Sequence, residues 1–477
     1  MSTADLLSLC AYGLASLALG KLFLRAVAAP ALLLRSLGCA YLVGQLLWLL
    51  CFQAAVWLPV PGDILVWAVG TAALAWGCVR AWRDRSRFVR ALPALLFGVL
   101  IVGVCFPHGL YSILRLPLVD WDARSIWFFH GKAIWLHRGI TPDFFANAPY
   151  AWSHLDYPLL IPVQAAVVGV FRGAWSEMAV KGFLGLNFMA YLGVLHATLV
   201  GRGWSRLHAW AASVMVMGIA LPSYLNGYAD NHYAMPLMLA ALLAFQPHRD
   251  GGDLAMVGVL VCFALNVKNE AAPYVLLGAV LWCVWWYASR VGNQNEVAGE
   301  RRRGVSGYGV SILLLGTVPF LLWMLFKSVH GIEGDLQLGA RVLTPGDSLA
   351  LWMQRAPRVL NAIGWGHAAM HTPLMLVGLL ALSAWGLLLA RRSGKGGQSC
   401  FTYEERALWS LLMVVHLLVM TVYGLTPYDV RWHLGNSLNR LLVFPVLILA
   451  ALLLCAFEKV LGDNQGNRAS SGAPPGR

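Results

Sequence analysis

The chain has 477 residues, of which 59% are hydrophobic and 12% are charged, a charged fraction about half of that in soluble globular domains. With a mean hydropathy of +0.65, this composition excludes a soluble enzyme or binding domain of this length, because too few polar side chains remain to cover its cores. The formal net charge of +13 does not indicate a nucleic-acid-binding protein, since the basic residues cluster in short loops between apolar runs.

Apolar runs long enough to cross a hydrocarbon layer of roughly 30 Å recur from end to end. They predict an all-α polytopic membrane protein with about 13 transmembrane helices, within a range of roughly 11–14. The first run is expected to be a retained helix, because its basic residues follow the hydrophobic stretch instead of preceding it. The predicted spans are residues 4–20, 37–58, 63–80, 92–112, 181–200, 207–223, 232–246, 254–267, 271–288, 306–326, 372–390, 406–424 and 439–457.

Basic residues set the predicted orientation in the inner (cytoplasmic) membrane. The loop 80–90 carries five arginines, and with this loop in the cytoplasm 22 of the 35 lysine and arginine residues face that side. Residues 1–462 are then expected to form a single multi-pass transmembrane domain, and 463–477 a disordered cytoplasmic tail. The predicted outer loops are at about 113–180, 327–371 and 425–438.

The apolar run 158–172 is interpreted as a juxtamembrane or re-entrant helix. It is short for a span. If it crossed the membrane, Arg301–Arg303 would face outwards, against the positive-inside rule.

The first candidate site lies at Asp120 and Asp122, directly after an outward-running span. From Asp122 to His137 the apolar residues recur at helical spacing, as in an amphipathic helix at the membrane interface. Two carboxylates at its start are suited to act as a general base or to bind a cation. The alternative is that one of them only caps the helix.

Two further polar clusters are expected on the outer face. His154 and Tyr157 precede the first apolar residues of 158–172, where Tyr157 either contacts a substrate or anchors the loop at the interface. Asp230 and His232 lie between two spans and, with Asp122, are candidate ligands for a divalent cation such as Mg or Mn. The alternative is a polar turn in which Asp230 caps a helix.

Charged residues in two short connections are candidates for binding a phosphate. Lys268 and Glu270 lie between two apolar runs, and Arg431, His433 and Arg440 lie in and after the last outer loop. Basic side chains at the bilayer surface bind phosphate oxygens, although internal salt bridges such as Lys268–Glu270 or Arg431–Asp429 are the alternative. The sequence contains no glycine-rich phosphate loop, GxSxG or HExxH, so soluble-nucleotide hydrolysis has no support.

Taken in order, these elements resemble the GT-C superfamily of polyprenyl-phosphate-dependent glycosyltransferases, and most closely an uncharacterised bacterial branch. The motifs that carry the resemblance are WDARSIW at 121–127 with Lys132-Ala133, Tyr157-Pro158, KNE at 268–270 and HLGNSLNR at 433–440. The resemblance covers roughly residues 115–445. It implies juxtamembrane helices in a first outer loop that bears a catalytic acid, and a lipid-linked sugar donor.

The resemblance implies transfer of a sugar from a polyprenyl phosphate to a hydroxyl of a saccharide, lipid or protein acceptor outside the cytoplasm. Asp122 would be the general base, with Asp120 as its substitute. Lys268, Arg431, His433 and Arg440 would hold the donor phosphate, and Asp230, Glu270, Tyr157 and His154 would contact substrate. The expected partners are the lipid bilayer, the donor and the acceptor, with no nucleic acid.

Two other functions are compatible with the sequence. A transporter or flippase of lipid-linked saccharides would carry ionisable groups near the bilayer midplane. An O-antigen polymerase or ligase would use basic residues of a later outer loop, namely Arg341, Arg355, Arg358 and His367.

Overall fold

The computed structural model confirms an all-α polytopic membrane protein, since the regular structure of the described residues is entirely helical. It describes residues 1–29, 36–58, 60–83, 100, 103–224, 226–246, 251–292, 307–334, 345–370, 376–378, 380, 381, 384, 388, 402–426 and 428–471.

The described α-helices are numbered here in chain order. They are α1 (Thr3–Ala26), α2 (Leu37–Trp57), α3 (Gly62–Arg83), α4 (Pro107–Arg115), α5 (Phe128–Leu136), α6 (Pro142–Phe145), α7 (Leu160–Arg172), α8 (Glu177–Val180), α9 (Gly182–Gly201), α10 (Arg206–Tyr224), α11 (Asp230–Ala244), α12 (Gly251–Leu265), α13 (Ala271–Gly292), α14 (Gly307–His330), α15 (Pro345–Ala369), α16 (Tyr403–Leu425), α17 (Val430–Leu441) and α18 (Val443–Ser471). A π-helical turn, Ala123–Trp127, leads into α5, and a 3-10 turn covers Ala148–Ser153. The last helix includes residues 463–471 of the predicted tail.

Seven stretches of the described helices are long and apolar enough to cross a membrane, so the predicted count of about thirteen is not confirmed. Some predicted spans are too short, because α11 and α12 have only 15 residues each and α11 contains Pro236. The predicted spans 92–112 and 372–390 lie partly outside the described residues. The seven stretches are Thr3–Ala26, Leu37–Trp57, Gly62–Arg83, Glu177–Gly201, Ser311–His330, Tyr403–Leu425 and Val430–Lys459.

The chain divides into two compact units. Unit 1 comprises Met1–Leu243, Arg249–Val275 and Arg302–Gln337, and unit 2 comprises Ala244–His248, Leu276–Arg301 and Leu338–Arg477.

Small residues let α1 and α2 of unit 1 pack with their backbones in contact. A Cβ atom built on Gly20 would overlap the carbonyl oxygen of Ala40, and one built on Gly44 would overlap that of Ser16. Each helix thus contributes two small residues four positions apart, the spacing that allows membrane helices to approach closely. The Trp48 indole donates to the Ser16 hydroxyl at 3.0 Å and ties the two helices together.

The predicted juxtamembrane run 158–172 contains helix α7, whose 13 residues are nearly all buried. Gly131 and Gly169 admit close neighbours on either side: a Cβ on Gly131 would lie 2.9 Å from that of Ala165, and one on Gly169 would lie 2.9 Å from the Trp135 indole. Helix α5 therefore lies directly against α7. This contact supports the segment that carries the candidate site.

Candidate functional site

A polar site in unit 1 is built around the connection between α12 and α13. Asn266 fixes this connection, since its side-chain amide donates to the carbonyl oxygens of Cys262 and Gly316, each at 2.8 Å. The backbone N–H of Leu160 donates to the Asn266 carbonyl at 3.0 Å and adds the start of α7. The backbone that carries Lys268 is therefore held by α14 and by the start of α7.

Lys268 forms ion pairs with two carboxylates. Its Nζ lies 2.8 Å from Asp230 Oδ1 and 3.1 Å from Glu270 Oε1. The side chains of Lys268 and Asp230 are 6% and 3% exposed, whereas that of Glu270 is 24% exposed. A buried ammonium is tolerated only with such partners, because burial removes its hydration. The predicted Lys268–Glu270 salt bridge is present, and Asp230 adds a second carboxylate from a distant part of the chain.

Asp230 is brought to this place by a tight turn before α11. Gly227 has φ of +90°, in the left-handed region that favours glycine, and a Cβ there would lie 2.7 Å from the Cβ of Ala123. The turn thus packs against the π-helical turn that follows Asp122. Asp230 is the first residue of α11, where the partial positive charge of a helix N-terminus favours a carboxylate.

Asp156 ties the loop before α7 to the same connection. Its Oδ2 accepts a hydrogen bond from the Asn269 amide at 2.8 Å. Its carbonyl oxygen accepts from the Trp323 indole and from Lys327 Nζ, each at 3.2 Å. Helix α14 therefore also supports this loop.

Tyr157 covers the Lys268 cluster with an aromatic stack. Its ring stacks on Trp127 at 5.2 Å between centroids and on His154 at 5.4 Å. Lys268 Nζ lies 5.8 Å from the centre of the same ring, within cation–π range. The exposed Trp121 contacts His154 edge-on, at 6.2 Å between ring centroids.

Asp120 and Asp122 are both partly buried and precede the π-helical turn. Burial, reinforced by the neighbouring Asp122, raises the pKa of Asp120, although a hydrogen bond with Asn226 opposes this shift. Asp122 makes no capping hydrogen bond to the turn that follows it, so the capping alternative is not realised there.

Four acidic side chains, three of them predicted from the sequence, act electrostatically on the Tyr157 phenol. Burial raises the pKa of Tyr157 well above its usual value, and Glu270, Asp156, Asp230 and Asp122 add to the shift. The structure therefore brings Asp122, Asp230, Glu270 and Lys268 to one region of unit 1, around Tyr157. A hydroxyl that stays protonated in this setting can donate a hydrogen bond to a carboxylate or to a bound ligand.

His232 belongs to a different polar network, deeper in unit 1. Its Nδ1 lies 3.2 Å from the Asn187 amide, which in turn pairs with the Gln164 amide. Within the part of the chain that the structure describes, no group of three or more His, Cys, Asp or Glu side chains is arranged to hold a metal ion. The divalent cation at Asp122, Asp230 and His232 stays a prediction.

The other predicted phosphate ligands belong to unit 2. His433 Nδ1 lies 2.8 Å from the Thr426 hydroxyl, and its ring packs edge-on against Tyr423. Arg431 is exposed and Arg440 is partly buried. The Asp429 carboxylate accepts from two backbone N–H groups at the start of α17, so it caps that helix.

The residues of the polymerase or ligase alternative are also in unit 2. Arg341 lies outside the described residues. Arg355 donates to the carbonyl oxygen of Thr426 at 2.8 Å, and His367 Nε2 lies 2.6 Å from His416 Nε2. Arg355 thus supports the chain where α16 ends.

Sequence reasoning missed Asp156, Asn269 and Lys327 as members of the unit 1 site. Asn269 lies inside the KNE motif and Asp156 beside the Tyr-Pro pair, so the same motifs could have indicated both residues. Nothing in the sequence singled out Lys327. It directly follows an apolar run, where a lysine commonly extends to the membrane surface.

Comparison with known proteins gives one relative of note. The chain is 24% identical over 451 residues to the cytochrome c-type biogenesis protein CcmF of Pseudomonas aeruginosa, an alignment that covers 81% of this chain and 64% of that protein. The chain thus spans less than two thirds of the length of this relative. No family model matches the chain, and no solved structure matches it.

This similarity contradicts the predicted glycosyltransferase function, because the relative is by its name a biogenesis factor for c-type cytochromes. It also supports neither the transporter nor the polymerase alternative. The physical reason for the error is that the motifs were short and consisted of residues that burial itself requires. Lys268 and Glu270, for example, pair with one another inside the protein. The GT-C resemblance in fold stays a prediction.

Proposed function

We propose that this chain is a multi-pass membrane protein that acts in the biogenesis of c-type cytochromes. The observation that carries the proposal is the similarity to CcmF, which extends over 81% of the chain and is not confined to one apolar stretch. Apolar helices resemble one another by composition alone, so a similarity over most of the chain carries more weight than one over a single span.

The proposed location is the inner membrane, with the segment 113–180 on the outer side. The distribution of basic residues supports this orientation, since the arginine-rich loop 80–90 then faces the cytoplasm. Unit 1 would present its Tyr157 site outside the cytoplasm, on a loop held by α5, α7 and α14.

Within this function, the Tyr157 site is proposed as the working part of unit 1. Four carboxylates act on its phenol, and Lys268 compensates part of their charge. A buried ion cluster is often no more stabilising than an apolar filling, and groups with perturbed pKa values cluster at functional sites.

Deletion of the gene in the source organism tests the proposal. Covalently bound haem, measured by peroxidase staining of denaturing gels, is expected to fall and to return when the wild-type gene is supplied. Non-covalent b-type haem in the same membranes is the control, because a general defect in haem supply or membrane integrity would lower both. Unchanged covalent haem in the deletion strain would overturn the proposal.

The role of the site is tested in the same strain. Asp122→Asn, produced at the wild-type level, is expected to restore less covalent haem than the wild type does. Asp143→Asn is the matched control, because Asp143 is an exposed aspartate at the start of α6. Equal restoration by both variants would remove Asp122 from the working site.

A further inference from the structure

A second feature of unit 1 is a pocket of about 560 Å³, which Tyr157 does not line. The end of α2, the start of α3, the chain between α5 and α6, and the end of α14 enclose it. Three of these helices are candidate membrane spans that begin or end at the pocket. The pocket therefore lies where the hydrocarbon layer gives way to lipid headgroups.

Part of the pocket lining is polar and includes hydrogen-bonding groups that have no partner among the described residues. Arg138 uses its Nε to donate to Asp63 Oδ2 at 2.8 Å, and its Nη groups donate to no described residue. The Thr141 hydroxyl is buried with no hydrogen-bond partner in the described part of the chain. The imidazoles of His137 and His330 contact phenylalanine rings but make no hydrogen bond to described residues.

The pocket also has an apolar lining, part of which is exposed. Val56, Trp57, Phe326 and Val329 line it. Trp57 is 53% exposed and Val329 is 60% exposed, as expected of side chains that face lipid. A head rich in hydrogen-bond acceptors, such as a phosphate, together with a hydrocarbon body would therefore suit this lining.

We propose that this pocket binds an anionic phospholipid of the bilayer, with its phosphate on Arg138, Thr141 and the two histidines and its acyl chains along the Trp57–Val329 side. Asp63 pairs only with Nε of Arg138. The remaining guanidinium N–H groups have the planar geometry that binds two phosphate oxygens at once. The position of Arg138 is fixed, because its carbonyl oxygen accepts from the N–H of Gly62 at 2.7 Å. The proposal does not depend on the function proposed above.

Native mass spectrometry of the purified full chain tests the proposal. Phosphatidylglycerol and phosphatidylcholine with the same acyl chains are titrated separately, and the anionic lipid is expected to bind more tightly. Arg138→Gln is expected to weaken phosphatidylglycerol binding about tenfold, the loss of one charge-assisted hydrogen bond. Equal binding of both lipids, or unchanged binding by Arg138→Gln, would overturn the proposal.

Asp63→Asn is the matched control, because it breaks the same ion pair but leaves the arginine in place. Its affinity for phosphatidylglycerol is expected to equal or exceed that of the wild type, whereas a loss as large as that of Arg138→Gln would show that the ion pair is only structural. Displacement of the lipid by millimolar inorganic phosphate would also count against a lipid occupant. If Arg138→Gln does not fold, Thr141→Val replaces it, with an expected loss of about fivefold; unchanged binding there would be equally contrary.

Discussion

Lys268 and Asp230 lie 38 residues apart in the sequence and form an ion pair of 2.8 Å in which both side chains are buried. The pair joins the start of α11 to the connection between α12 and α13. Glu270 shares the same ammonium.

Lys268→Met is expected to lower the free energy of unfolding by about 3 kcal/mol, because it leaves two carboxylates without their buried cation. Thermal unfolding in detergent measures the loss. The double variant Lys268→Met/Asp230→Asn is expected to lose less than the sum of the two single variants, by about 1–3 kcal/mol. Lys132→Met, at an exposed lysine of α5, is the control and should change little. Strict additivity would contradict a direct pair.

Asn269→Asp is expected to destabilise the protein in a pH-dependent way. The new carboxylate would lie about 2.8 Å from that of Asp156, and two carboxylates at this distance retain a proton that the unfolded chain releases. The loss of stability is therefore greatest near neutral pH and shrinks as the pH falls towards the usual carboxyl pKa. Thermal unfolding across that range measures it. Asn269→Leu, which removes the hydrogen bond to the Asp156 carboxylate without adding a charge, should show a loss that varies less with pH.

The pH dependence of stability is expected to contain a contribution from His130. Burial lowers its pKa from 6.5 to about 3, and His154 adds to the shift. The unfolded chain protonates this histidine below pH 6.5 while the folded protein does not, so stability falls as the pH decreases from 6.5 towards 3. At pH 5 the contribution is about 2 kcal/mol.

His130→Gln should reduce the difference in thermal stability between pH 7 and pH 5. His208→Gln, at an exposed histidine of α10, should leave that difference as in the wild type. The same slope for His130→Gln and the wild type would show that folding does not lower the pKa of His130.

Gly44→Ala is expected to disrupt the contact between α1 and α2, because the new methyl group would overlap the Ser16 carbonyl. A loss of about 1–3 kcal/mol or failure to fold is expected. Gly193→Ala is the control, since a Cβ there meets nothing within 4 Å. It should raise the stability by up to about 1 kcal/mol through helix propensity. The folded yield and melting temperature in detergent distinguish the two, and equal behaviour would refute close packing at Gly44.

The helical membrane architecture could be predicted from the sequence because apolar length alone dictates it. The number of spans could not, since α7, α11 and α12 are apolar but short, and whether such a helix crosses depends on its neighbours. Burial of α7 on nearly all sides comes from packing that no local pattern encodes.

The candidate site was predicted in part for the same reason. The sequence indicated that Lys268 and Glu270 needed partners, because charge among apolar residues is costly. It could not identify Asp230 as the partner of Lys268, since the two meet only through the fold. The Asp429 carboxylate, for which a salt bridge with Arg431 was the alternative interpretation, caps α17. The function was predicted wrongly, because these motifs describe burial and charge compensation, which unrelated membrane proteins share.

The contact of α1 with α2 has a consequence for biosynthesis. It joins Ser16 and Gly20 to Ala40 and Gly44, all within one short stretch of chain. A ribosome that delivers this hairpin to the bilayer has therefore supplied every atom of the contact before α3 is translated. The two helices can therefore pack together early and form a surface on which later helices pack.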